Sequence, residues 1–87
     1  MTFLWTARFE KAYRSLPHDQ QAVVVDAHLR ILAQNWRHPS LQTKRLQGTK
    51  HIWAIRLSRD LRLTFEPTKA GVLLRNVGRH DSALRSP

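Results

Sequence analysis

At 87 residues the chain has room for one small hydrophobic core, and a single domain over 1–87 is expected. It holds no cysteine, which excludes a disulfide framework, thiolate catalysis and zinc–cysteine sites. Fifteen Lys and Arg against six Asp and Glu give a net charge of +9, the field of a chain with an anionic partner, either nucleic acid or an acidic protein. The excess is lopsided. Residues 1–43 carry five basic and three acidic side chains, net +2, whereas residues 44–87 carry ten and three, net +7. The N-terminus has no basic segment followed by an apolar run, and no apolar run approaches the ~20 residues of a membrane span. A cytoplasmic protein without membrane association is the natural expectation.

In chain order, Thr2 to Trp5 is a short apolar segment suited to an edge strand, and Thr6 is a good helix N-cap. From Ala7 to Leu16 the residues Phe9, Ala12, Tyr13 and Leu16 recur at helical spacing. Pro17 breaks that helix and fits the first turn of the next, with Asp19 near its positive end. From Gln20 to Trp36, the stripe Ala22, Val25, Leu29, Leu32 and Trp36 defines one helical face. The two helices should form a hairpin packed on a sheet. His28 falls off the stripe and reads as a surface side chain. Trp5 and Trp36 read as core.

Pro39 to Lys50 reads as a loop carrying Lys44-Arg45-Leu46-Gln47-Gly48, with Leu46 plugging the core. Three strands follow: Ile52 to Leu57, Leu61 to Glu66, and about Gly71 to Val77. The first two alternate apolar and polar residues with period two, the pattern of a sheet with one buried face. With Ser58, Arg59 and Asp60 as the hairpin loop, Leu57 faces Leu61, Ile55 faces Leu63 and Trp53 faces Phe65, all on the buried side. Trp53 is then core rather than a base-stacking platform.

On the other, open face Arg56 lies opposite Arg62, and Ala54 opposite Thr64. With Pro67 to Ala70 as the next connection, Arg75 extends the row to three arginines. Like charges directly opposed across a ladder are destabilising. Such a row is explained by an anion, most simply phosphate, bound among the guanidinium groups. Lys44 and Arg45 would extend a phosphate track. The plainer alternative is a solvated face neutralised by Asp60, Glu66 and Asp81.

After the third strand comes Gly78-Arg79-His80-Asp81-Ser82, read as a short polar segment. Histidine is the side chain best able to exchange protons near neutral pH, and His80 beside arginines suits general acid–base work on a phosphodiester. The alternative is a loop histidine paired with Asp81. The remaining histidines show no HxH or HxxxH spacing, so no metal site and no cofactor are expected.

The order of elements, and the motifs Lys44-Arg45-Leu46-Gln47-Gly48, Trp53-Ala54-Ile55-Arg56-Leu57, Asp60-Leu61-Arg62-Leu63-Thr64-Phe65 and Val77-Gly78-Arg79-His80-Asp81, resemble the RelE/ParE superfamily of bacterial toxin–antitoxin toxins. The resemblance covers nearly the whole chain. It implies an α+β fold in which an N-terminal strand and a two-helix hairpin pack on a mainly antiparallel sheet, in the order β-α-α-β-β-β. For the RelE-like branch it implies a metal-independent endoribonuclease that cuts mRNA on the ribosome, the 2′-hydroxyl attacking the adjacent phosphate. Carried over by position, Arg62 holds the scissile phosphate, Arg56 is a second basic position, and His80 takes the catalytic place, with Asp81 orienting it. Lys44 and Arg45 grip RNA or ribosome, and Lys50, Arg59, Arg75 and Arg79 complete the binding set. RelE and YoeB carry a tyrosine beyond this point, whereas the tail here has none. The partners implied are an acidic antitoxin, mRNA and the ribosome. The alternatives are a ParE-like DNA gyrase inhibitor and a basic module whose one partner is the antitoxin.

Overall fold

A computed structural model of the chain describes residues 2–87. Thr6 sets where the first helix begins. Its extended backbone ends strand β1 (Phe3–Trp5), and its hydroxyl accepts the Phe9 amide to cap helix α1 (Ala7–Arg14). The same hydroxyl donates to the Arg75 carbonyl at 2.8 Å, tying the helix start to the sheet. Phe9 is buried against the sheet, and Ala12, Tyr13 and Leu16 pack partly buried around it. Gln21 closes the interhelical turn, its side-chain amide donating to the carbonyls of Tyr13 and Leu16.

The second helical segment departs from the expected single α-helix. Gln20–Val25 winds as a π-helix and only Asp26–Gln34, helix α2, is α-helical. The wider i→i+5 turn breaks the 3.6-residue phase on which the apolar stripe was counted. Val25 and Leu32 are buried as expected, but Ala22 is exposed and Val23 is 70% exposed. His28 is half-buried, its Nδ1 2.6 Å from the Val24 carbonyl.

The sheet has five strands in the order β1-β5-β4-β3-β2. Strand β2 (Lys44–Arg45) lies inside the segment expected to be a loop, which also holds a 3-10 turn at Pro39–Leu41 that buries Leu41. Strand β3 (Trp53–Arg56) pairs antiparallel with β4 (Leu61–Thr68) in the expected register: Trp53 faces Phe65, Ile55 faces Leu63 and Arg56 faces Arg62. Strand β5 (Gly71–Arg79) pairs antiparallel with β4 and parallel with β1. Ile55, Leu57, Leu61, Leu63, Phe65, Val72, Leu74 and Val77 form the sheet side of the core.

Two features of β5 correct the expectation. The β4–β5 connection is only Lys69 and Ala70, and the ladder shifts by one residue between Thr64 and Phe65. Arg62 therefore faces Gly78 rather than Arg75, and the row of three arginines is a row of two. Arg75 sits at the bulge, where it pairs with Glu66 at 3.2 Å and donates from Nε to the Pro87 oxygen. A bulge inserts an unpaired residue and re-aims its side chain. The second feature is the chain that follows. His80–Arg85 is a helix, α3, rather than a polar segment, and it covers part of the face expected to be open. Ala83 is fully buried there. Thr64 and Asn76 lie beneath the tail, donating to the oxygens of Pro87 and Ser86. Trp5, expected in the core, is 58% exposed on the β1 edge. Leu46, expected to plug the core, is half-buried. Among the described residues no helix is long and apolar enough to cross a membrane.

Candidate functional site

Strand β2 owes its place to two pairings, Lys44 with Ala54 and Arg45 with Trp53. Facing residues in an antiparallel ladder share a side of the sheet. Lys44 thus lies in a row with Ala54, Thr64 and Asn76, on the side where Arg56, Arg62 and Gly78 form the next row. Helix α3 begins beside that row and ends over the first one. The result is a cavity of about 380 Å³ whose walls include Lys44, Arg45, Arg56, Arg62 and His80.

The electrostatics of this cavity are one-sided. The ion pairs among the described residues are Glu10–Arg14, Glu66–Arg75 and His80–Asp81. None of them involves Lys44, Arg45, Arg56 or Arg62. Of the carboxylates that the neutralised-face alternative invokes, Glu66 pairs with Arg75 and Asp81 with His80, and Asp60 pairs with none of the four cations. Arg56 and Arg62 face each other with no counter-charge, an arrangement that costs stability and attracts an anion.

Arg62 and His80 are positioned by the same hairpin loop. Arg62 donates from Nη1 to the carbonyls of Ser58, Arg59 and Leu61, at 2.8, 3.3 and 2.9 Å. The first two belong to the loop, which in turn accepts the His80 amide on the Asp60 carbonyl at 2.8 Å. His80, the first residue of α3, is thereby fixed against the loop that Arg62 holds in shape. Asp81 lies next to it, with Oδ1 3.3 Å from His80 Nδ1, but its side chain is 90% exposed. The contact can bias the ring without enclosing it.

Of the ten candidate residues, Lys44, Arg45, Arg56, Arg62 and His80 line the cavity. Asp81 stands beside it through His80. Lys50, Arg59 and Arg79 are exposed outside its lining, and Arg75 is engaged at the bulge. Leu84 and Gln42 are among the lining residues that were not anticipated. Leu84 belongs to α3, whose six residues are too few to show a periodic pattern. Gln42 has a left-handed backbone, φ 49°, that a sequence of this kind does not signal. The tyrosine missing from the tail has no substitute here. Tyr13 hydrogen-bonds Asp26 at 2.9 Å and lines a different cavity, near β1.

No protein-family model matches the chain, and no curated protein matches its sequence. Solved structures do match its backbone. The toxin of the intact Escherichia coli RelBE toxin–antitoxin complex superposes with a TM-score of 0.70 at 20% identity, over 88% of this chain and 93% of that one. The YoeB/ParE toxin from Agrobacterium tumefaciens gives 0.77 at 15% identity, over 92% and 99%. YafQ from E. coli gives 0.72 at 15%, over 93% and 94%. The chain has the RelE/YoeB toxin fold. Within that fold, the expected strand–helix–helix–sheet order stands, extended here by β2 and α3.

Proposed function

We propose that this protein is the toxin of a bacterial toxin–antitoxin pair and acts as an mRNA endoribonuclease in the cytoplasm, on the ribosome. The observation that carries this reading is the cavity that gathers four unneutralised cations around one imidazole. The fold shared with RelE, YoeB and YafQ supports it.

The chemistry needs no more than these groups supply. Lys44 and Arg45 hold the RNA backbone at the sheet edge. Arg56 and Arg62 take the scissile phosphate between them. His80 Nε2 or Nδ1 accepts the proton of the ribose 2′-hydroxyl as its oxygen attacks phosphorus. The 5′-oxygen leaves and takes a proton from water, giving a 2′,3′-cyclic phosphate and a 5′-hydroxyl end, and His80 then returns its proton to solvent. As charge builds on the phosphoryl oxygens, the two arginines stabilise it more than they stabilise the ground state, which is the origin of the rate gain. A positioned acid–base group adds ~10²–10⁴-fold. Lys50, Arg59 and Arg79 extend the basic surface around the cavity and serve ribosomal RNA. An acidic antitoxin would associate quickly with a chain of this charge and would mask the cavity.

The test incubates purified protein with translating ribosomes and maps mRNA ends by primer extension, with a gyrase supercoiling assay alongside. New ends that vanish with His80→Ala are expected. Intact mRNA with inhibited gyrase would overturn the reading in favour of a ParE-like activity. Absence of both effects would leave antitoxin binding as the one function.

A further inference from the structure

Behind the cationic cavity, and sharing Gln42 with it, lies a second cavity of about 450 Å³ walled by Trp36, Arg37, His38, Thr43 and Trp53. Both tryptophans were expected to be core, yet both are only half-buried and open onto it. Trp36 is wedged edge-on between Trp53, at 4.9 Å between ring centroids, and Phe65, at 5.9 Å. The Arg37 guanidinium lies over the Trp36 ring, 4.6 Å from its centroid. Arg37 is exposed, and no carboxylate pairs with it among the described residues.

We propose that this cavity is a nucleobase subsite, in which a base of the RNA strand stacks on the Arg37 plane while its phosphates run through the cationic cavity. The proposal rests on the nuclease reading above and adds a substrate contact to it. Guanidinium planes and aromatic rings are the surfaces on which unstacked RNA bases are held. An arginine already set over a tryptophan ring offers such a surface before the base arrives.

Three further observations point the same way. The segment from Trp36 to Thr43 is braced as a platform: Thr43 Oγ1 donates to the Trp36 carbonyl at 2.6 Å, Leu41 N–H to the His38 carbonyl, and Leu41 itself is fully buried. Second, His38 Nδ1 accepts the Ser40 amide at 3.1 Å, so in the neutral ring the proton sits on Nε2. That leaves one N–H donor at the cavity for the acceptor edge of a base. Third, Gln42 is held at φ 49°, ψ 48°, a left-handed conformation that a non-glycine residue adopts at a cost. Its side-chain amide makes no hydrogen bond within the described residues, and it lines both spaces. Arg45, directly opposite Trp53 in the β2–β3 ladder, lines the cationic cavity.

The experiment uses ribosomes programmed with short mRNAs in which one nucleotide at a time, around the cleavage point, is replaced by an abasic ribose. Single-turnover cleavage is followed against protein concentration. At one position the abasic change is expected to raise the half-saturating concentration roughly tenfold, within the range for base stacking. Arg37→Ala should erase that difference while leaving the melting temperature unchanged. Arg37→Lys, which keeps the charge and loses the plane, should erase it as well. A penalty at no position, or an equal penalty in both variants, would overturn the subsite and leave the nuclease reading intact. Failure to cut even the unmodified mRNA would overturn both.

Discussion

The two edges of the sheet carry cavities of nearly equal size and opposite chemistry. At the β2–β3 edge, about 380 Å³ is walled by Lys44, Arg45, Arg56, Arg62 and His80. At the β1 edge, about 370 Å³ is walled largely by Phe3, Trp5, Phe9, Tyr13, Leu29 and Leu74. The charged side chains differ in the same sense. Near β1 the ends of Glu10 and Arg14 are paired and Asp26 takes the Tyr13 hydroxyl, whereas the cations at the other edge have no carboxylate. Charge left unpaired in one place while pairs form in another shows that the basic edge is not a by-product of a basic composition.

This contrast can be broken or sharpened by mutation. The largest effect is expected from His80→Ala, which should slow single-turnover cleavage by ~10²–10⁴-fold, the share of a positioned acid–base group. Trp5→Ser at the opposite edge should leave the rate unchanged, and a matching loss there would show that the edges are not separable.

Arg62 and Arg56 face each other yet should part company when removed. Arg62→Ala is expected to cut the rate by ~10²–10³-fold and also to lower stability by about 1–2 kcal/mol, because two loop carbonyls and that of Leu61 lose a donor. Arg56→Ala should reduce cleavage with stability unchanged or raised by a few tenths of a kcal/mol, since it relieves a like-charge pair. Urea denaturation beside cleavage assays separates the two.

At the β1 side, Gly71 has φ +142°, and a Cβ there would run into the Thr2 carbonyl, which accepts the Val72 amide. Gly71→Ala should therefore cost about 1–3 kcal/mol in thermal or urea unfolding.

The smallest effect concerns pH. Burial, followed by the hydrogen bond and charge of Asp26, raises the Tyr13 phenol above its usual 10.0. The folded state then holds this proton more tightly than the unfolded chain. Its contribution is fully present below pH 10 and is lost as pH rises through the raised value. Tyr13→Phe should flatten the alkaline decline in melting temperature, and an unaltered decline would assign it to other groups.

The β3–β4 hairpin was fully legible in the sequence. Its alternation is clean, its loop is three polar residues, and a one-residue slip would have turned Ile55 and Leu63 outward. Arg75 was misplaced because the strand was read as regular, although Leu74-Arg75-Asn76-Val77 sets two polar residues between two apolar ones and so breaks the period-two alternation where the bulge lies. Strand β2 is two residues long and α3 is six, both shorter than any period they would have to display. Across Ala22 to Val25, four consecutive apolar residues fit more than one helical phase, and tertiary packing chose the wider turn. Of the proposed site, the residue types were legible, and five of the ten named positions meet in one cavity. Invisible in advance was the device that joins them, a loop whose shape Arg62 keeps and against which His80 rests.

The sheet order β1-β5-β4-β3-β2 sets the first strand beside the last, with β5 between β1 and β4. During synthesis, residues 3–5 have no partner until residues 72–74 have left the ribosome, and the cavity has no imidazole until residue 80 follows. Domains fold as units, and pairings this distant in sequence form late. The basic edge thus gathers its full set of side chains only once residue 80 has been made.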